Sequence, residues 1–359
     1  MRATILPLAL LFTWQPTVYG LQDSEVPSDT PVSALISSAK DHLAKGSPRE
    51  ALPFFDAAIA RDPTNYLTIF QRGAAFLSLG RDSQATSDFD RVLELKPDFE
   101  GALLQRARIR TRAGDWLAAK HDLEAAGKRN TEEYRELEEA RTASSLAAEA
   151  ETKGDWETCV SQASIAIIKA STALRLRQVR LRCRFERGEI QEAISDLGHV
   201  IQLSPSSLEP HLQISNMLFY SLGDTDRGVA QVRKCLHSDP DSKQCSRLFR
   251  RQKNLTKRLE KLLDLMEKKK YTNAASMLTG NTEETGLIND VKEDIAEARK
   301  EGYIHPKAPE NLYIFLIEST CETYRKVCTG FDLFFMVILT KPLLLVIDEY
   351  AKESPALLS

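Results

Sequence analysis

The chain has 359 residues, 42% of them hydrophobic, and its 48 basic and 51 acidic side chains leave a formal net charge of -3. That length accommodates two or three domains, and the near-balanced charge removes any global electrostatic case for nucleic acid. No glycine-rich phosphate loop, nucleophile elbow, HExxH or CxxC occurs, so no enzyme, no cofactor and no metal site is expected.

Residues 1-20 place Arg2 ahead of the apolar stretch "ATILPLALLFTW", with small residues at Val18 and Gly20. This is the pattern of a cleaved secretory signal, and the stretch is too short to span a bilayer comfortably. Residues 21-32 are polar and proline-bearing, which predicts a disordered lead-in. A lumenal, oxidising compartment follows, where Cys159, Cys183, Cys235, Cys245, Cys321 and Cys328 could oxidise and Asn254, in "NLT", could carry a glycan.

From residue 33 onward the chain repeats itself. Glycines stand at 46, 80, 114, 154, 188 and 223, with steps of 34, 34, 40, 34 and 35 residues. Five residues after each comes Ala51, Ala85, Ala119, Cys159, Ala193 or Gly228, all small. Nine residues after each comes Phe55, Phe89, Leu123, Ala163, Leu197 or Val232, and four of the units have a proline at 63, 97, 205 or 240. Glycine in a turn, a small residue at a helix contact, an apolar stripe at helical spacing and a proline stop describe the second helix of a hairpin. An amphipathic segment such as "YLTIFQRGAAFLSL" supplies the first helix. Hairpins of this kind bury their apolar faces only by stacking.

The spacing and residue types resemble the tetratricopeptide repeat, an all-α superhelix. Six extra residues lie between Gly114 and Gly154, and a stretched interval before Ala274 makes "SRLFRRQKNLTKRLEKLLDLMEKKK" one long helix. Both irregularities fall after a third repeat. They imply blocks of three at 33-130 and 131-240 and an incomplete block at 241-326, where "NLYIFLIESTCETYR" (Asn311 to Arg325) forms a last first-type helix.

A secretory signal, three-repeat blocks, a long helix opening the third block and "NLYIFLIESTCETY" resemble the endoplasmic-reticulum co-chaperones of the DnaJ homolog subfamily C member 3, kinase-inhibitor type. That resemblance covers residues 1 to 326. It implies binding of unfolded or misfolded clients and their delivery to an ER Hsp70, with a kinase as a further partner. It also implies a J domain carrying His-Pro-Asp, and no such tripeptide occurs. The chain as written is therefore not expected to stimulate an Hsp70.

By the phase of the repeat, the first helices of block one turn Ile36, Phe70 and Leu104 inward at one level, Lys40, Ala74 and Arg108 at the next, and Leu43, Leu77 and Thr111 beyond. The apolar members of this set, Ile36, Leu43, Phe70, Leu77 and Leu104, form the expected client groove, whereas a carboxylate clamp would need charge-assisted donors. The competing expectation is that some of them pack against the neighbouring hairpin as ordinary core. Cys235 and Cys245 flank a short turn that can bring their α-carbons within disulfide range, and the pair resembles a disulfide of the co-chaperone family. Cys159 and Cys183 read as small buried hydrophobes.

Two basic stretches stand out, "RLRQVRLRCRFER" and Arg247 to Lys270, the latter with ten basic against three acidic side chains. Both are expected as solvated helix faces, the alternative being an acidic partner. The acidic residues are expected on exposed helix faces. From residue 327 to 359 the pattern breaks into an apolar tail, "VCTGFDLFFMVILTKPLLLVIDEY", read first as translated intron and second as a marginal membrane tether. With that tether, the alternative function is a general protein-interaction scaffold.

Overall fold

The structure is a computed structural model that describes residues 29–281 and 285–328. The secretory signal, most of the lead-in and the tail from residue 329 lie outside the described residues. Sixteen α-helices and one π-helical turn make up the described chain.

Helices α1 (Val32–Ala44), α2 (Pro48–Arg61), α3 (Tyr66–Ser78), α4 (Asp82–Leu95), α5 (Glu100–Ala113) and α6 (Trp116–Ala125) form three hairpins. The six repeat glycines take left-handed φ values between 70 and 81°, a conformation that costs a side-chain-bearing residue about 1 kcal/mol or more. Each proline stop works as expected: α2 and α4 end two residues before Pro63 and Pro97, because proline disfavours helical geometry in the residue before it. Asn65 caps α3 by accepting from the Thr68 amide at 3.2 Å.

The irregular steps have structural counterparts. Helix α7 (Glu132–Lys153) is 22 residues long and absorbs the insertion between Gly114 and Gly154. Helices α8 (Trp156–Lys169), α9 (Leu174–Arg187), α10 (Ile190–Leu203) and α11 (Glu209–Asn216) follow. The single extra residue between Gly188 and Gly223 appears as the π-helical turn Met217–Ser221, which continues α11. A π-turn accommodates one additional residue within a helix. It also explains why Gly228 replaces the alanine of the other repeats, since a β-carbon there would lie 2.7 Å from Phe219 Cβ.

Helix α12 (Thr225–Ser238) leads to α13 (Lys243–Glu267), the long helix expected from sequence at 25 residues. Helices α14 (Tyr271–Thr279), α15 (Leu287–Lys300) and α16 (Asn311–Cys328) complete the chain. Helix α15 stands between the two segments that sequence reading had placed in neighbouring repeats.

The described residues divide into two compact units: one holds those up to Arg110 with Leu117–Tyr134, the other Thr111–Trp116 and the described residues from Arg135 on. The first unit's core is built on Phe55, Ile69, Phe89 and Leu103. The second unit's largest cluster runs from Leu181 through Phe219, Tyr220 and Leu262 to Leu316.

Candidate functional site

In the first unit, α1, α3 and α5 carry the expected groove residues. Ile36, Leu43, Phe70, Leu77 and Leu104 are all half-buried, while Lys40, Ala74 and Arg108 are exposed. They are not equivalent. Leu43, Phe70 and Leu77 pack against the unit's core. The Phe70 ring sits 5.7 Å from that of Phe89 and 5.1 Å, edge-on, from that of Phe99. Leu67, which sequence reasoning passed over, is 48% exposed on α3, three residues before Phe70 and so on the same helical stripe. Arg108 is paired with Glu133 at 2.9 Å, so its charge is already answered within the unit.

The repeats also carry a recurring charged cluster that composition concealed. Arg72 on α3 donates from Nε and Nη2 to both carboxylate oxygens of Asp88 on α4, at 2.9 and 2.6 Å, and from Nη1 to Asp56 on α2 at 2.8 Å. Arg106 makes the same three bonds to Asp122 and Asp90, and Arg180 grips Asp196 at 3.0 and 2.5 Å with Ser164 as its third partner. Hydrogen bonds to Asp88 and Asp122 hold the Arg72 and Arg106 guanidiniums above their usual pKa, against the opposing effect of burial. Asp88, Asp122 and Asp196 are at most 5% exposed, which corrects the expectation that the acidic residues lie on exposed faces. The signal was present in sequence: arginine stands eight residues before, and aspartate eight after, Gly80, Gly114 and Gly188, and neither flanks the other three repeat glycines.

The Arg180 cluster corrects in part the reading of "RLRQVRLRCRFER" as a solvated face, for Arg177, Arg180 and Arg184 are half-buried while Arg175, Arg182 and Arg187 are exposed. Arg180 and Arg184 share Asp196, Arg182 meets Glu151 at 2.6 Å and Arg187 meets Glu189 at 3.0 Å. Burial lowers the pKa of Arg177 in this helix. The other basic stretch is divided: α13 turns Arg247, Arg251 and Arg258 toward Glu297, Asp294 and Asp290 of α15, in antiparallel register. Tyr220 donates to Asp294 at 2.9 Å. Burial pushes the Asp294 carboxyl and the Tyr220 phenol upward. Arg247, Arg251, Asp294, Glu297 and Tyr220 line a cavity of ≈ 90 Å³ with Asn216, Leu248 and Tyr303.

Two disulfides lie in the second unit. Cys235 and Cys245 are joined across the α12–α13 turn with α-carbons 6.0 Å apart. Cys159 on α8 and Cys183 on α9 are also joined, with α-carbons 6.2 Å apart, which corrects their reading as unpaired buried hydrophobes. Their 24-residue separation recurs as Ala51 and Ala75 in the first unit, so the two positions face each other from consecutive helices throughout the repeat. Asn254 is exposed on α13. No group of three or more potential metal ligands occurs among the described residues, and no described helix is long and apolar enough to cross a membrane.

The described helices, whose first six hairpins turn on left-handed glycines, match a solved structure, the TPR domain of P58(IPK), at a TM-score of 0.62 and 25% identity, covering 88% of this chain and 84% of that one. The fold is the tetratricopeptide repeat. No family model matches the chain, but curated relatives do. The chain is 47% identical over 309 residues to the tetratricopeptide repeat and J domain-containing co-chaperone DNJ1 of Fusarium oxysporum, covering 86% of this chain and 59% of that protein. It is 30% identical over 310 residues to the DNJ1 of Cryptococcus neoformans, again over 59% of that protein's length. Human DnaJ homolog subfamily C member 3 is 32% identical over 246 residues, covering 66% of this chain and 49% of the human protein. The tetratricopeptide-repeat chain described here thus has DnaJ-type co-chaperones as its homologues and spans between half and three-fifths of their length.

Proposed function

We propose that the protein is an endoplasmic-reticulum co-chaperone-type protein that holds apolar segments of unfolded or misfolded clients against α1, α3 and α5 of the first unit, with an ER Hsp70 as an indirect partner. The observation that carries this reading is the 47% identity over 309 residues with a tetratricopeptide repeat and J domain-containing co-chaperone. Half-buried Ile36 and Leu104 and exposed Leu67 supply apolar surface that a client segment would cover, with a gain of about 25 cal/mol per Å² removed from water. The ER location draws on the secretory pattern of residues 1-20, and the two disulfides suit an oxidising lumen. A kinase among the partners belongs to the same reading.

Light scattering of a chemically denatured client tests the proposal. The wild-type chain should suppress aggregation, and the triple variant Ile36→Asp, Leu67→Asp, Leu104→Asp should lose most of that suppression while keeping its far-UV circular dichroism. Equal suppression by both proteins would refute the groove, and no suppression by a folded wild-type chain would favour a scaffold that joins folded partners.

A further inference from the structure

We propose that the solvent face of α13 is a docking surface for an acidic polypeptide segment whose carboxylates recur at helical spacing. Helix α13 is amphipathic in charge as well as in hydropathy. One side buries Cys245, Leu255, Leu259 and Leu262. An adjacent side carries Arg247, Arg251 and Arg258, each answered by an acid of α15. A third side presents Lys243, Arg250, Lys257 and Lys261, all exposed, and none has an ionic partner among the described residues. Their spacing of 7, 7 and 4 residues places them within about 40° of one another around the helix and along about 27 Å of its length. Exposed Lys253 flanks the stripe, with its ammonium 5.6 Å from the Phe249 ring centroid, and the Arg233 guanidinium lies 5.9 Å from the same centroid.

The kind of partner follows from charge complementarity that the protein already exhibits. Arg247, Arg251 and Arg258 take Glu297, Asp294 and Asp290 from one acidic helix, cation by carboxylate, turn by turn. The solvent stripe repeats that spacing with the carboxylates missing. Lys257 and Lys261, on successive turns, repel each other, so an acidic segment relieves that repulsion as well as pairing with the stripe. The stripe is straight and one residue wide, which suits a single polypeptide strand or helix. Asn254 lies on the same face, so a glycan there would cover the stripe and compete with docking.

The test is fluorescence anisotropy on the full chain carrying Asn254→Gln, to keep the stripe bare. The probe is a labelled 20-residue alanine-based helical peptide with glutamates placed to match positions 243, 250, 257 and 261. Controls are a scrambled peptide of the same composition, a 15-base-pair DNA duplex and vesicles of 30% phosphatidylserine. We expect the matched peptide to bind at least tenfold more tightly than its scrambled form and than either control. The variant Arg250→Glu, Lys257→Glu, Lys261→Glu should lose at least tenfold in affinity and regain it for a peptide with lysines in place of the glutamates. These side chains make no ion pair among the described residues, and the one hydrogen bond among them, Arg250 Nε donating to the Ser246 carbonyl at 3.2 Å, stays within α13, so the variant's melting curve should lie close to the parent's. Failure of the parent to bind, equal binding of matched and scrambled peptides, an unchanged variant, or tighter binding to DNA or vesicles would each overturn the proposal.

Discussion

Arg106 and Asp122 stand sixteen residues apart on the two helices of one hairpin and exchange two hydrogen bonds, at 3.0 and 2.6 Å, with Asp122 fully buried. Arg110 reaches the same carboxylate at 2.7 Å. One buried anion therefore fastens two turns of α5 to α6. Breaking a buried pair from one side costs more than the pair contributes, because the remaining charge is left desolvated. Asp122→Ala should cost about 3–5 kcal/mol, whereas Arg106→Met should cost less, since Asp122 keeps Arg110. Urea denaturation of the two variants, with the same slope and different midpoints, checks the order.

The two disulfides should be separable by their effect on stability. Closing the 24-residue loop between Cys159 and Cys183 is worth about 3.5 kcal/mol in the chain-entropy model, and the 10-residue loop between Cys235 and Cys245 about 2.7 kcal/mol. Non-reducing peptide mapping of protein isolated from its native cell should recover both linked peptides. Recovery of all four cysteines as free thiols would contradict both pairings and the lumenal location together.

Phe70 and Ile36 should part company. Phe70 is held by Phe89 and Phe99, so Phe70→Ala should lower the melting temperature, at a cost approaching the about 3–5 kcal/mol of a core phenylalanine. Ile36→Asp should leave the melting temperature nearly unchanged and act on client binding. Thermal melts of both variants beside the aggregation assay distinguish a core residue from a binding one.

Acid should weaken the second unit. His211 and His305 both have pKa values held below 6.5 by burial, His211 with Lys234 adding to the effect and His305 with Glu186 opposing it. A depressed histidine binds its proton more readily unfolded than folded, so its stabilising contribution is present above 6.5 and is lost as pH falls through the folded pKa. Stability should therefore drop between pH 7 and pH 5, and the double variant His211→Gln, His305→Gln should flatten that drop. Chemical denaturation at half-unit pH intervals measures it.

Gly228→Ala probes the π-turn. The added β-carbon meets Phe219 Cβ at 2.7 Å and its amide nitrogen at 3.0 Å, so overpacking should cost about 1–3 kcal/mol. The reverse change, Ala193→Gly, at the equivalent position of the preceding repeat, should cost about 0.5–1 kcal/mol in propensity and, because Ala193 is fully buried, about 0.8 kcal/mol more for the lost methyl. Comparing their denaturation midpoints isolates the steric part.

Much of the fold was legible because a repeat states its local rules many times over. Gly80 and Gly188 mark turns, Pro97 and Pro205 mark stops, and the residues between them have helical period, so each helix is announced within about fifteen positions of itself. The step of 35 before Gly223 also held a real feature, though only the structure identified it as a π-turn. Of the candidate groove, the phase of the repeat located Ile36 and Leu104 on half-exposed positions, but it could not separate them from Phe70, whose aromatic partners come from α4 and the turn into α5.

The sequence by itself determined an all-helical chain of hairpins with tetratricopeptide spacing, since turn, contact and stop residues act on their own neighbourhood. Only the tertiary structure decided which charges are spent and which are free. Arg180 and Arg184 close on Asp196, Arg251 closes on Asp294, and Lys257 and Lys261 face solvent, although all belong to similar basic runs. The reason is geometric: a helix's period fixes which residues share a face, but the element packed against that face is chosen by how the repeats stack.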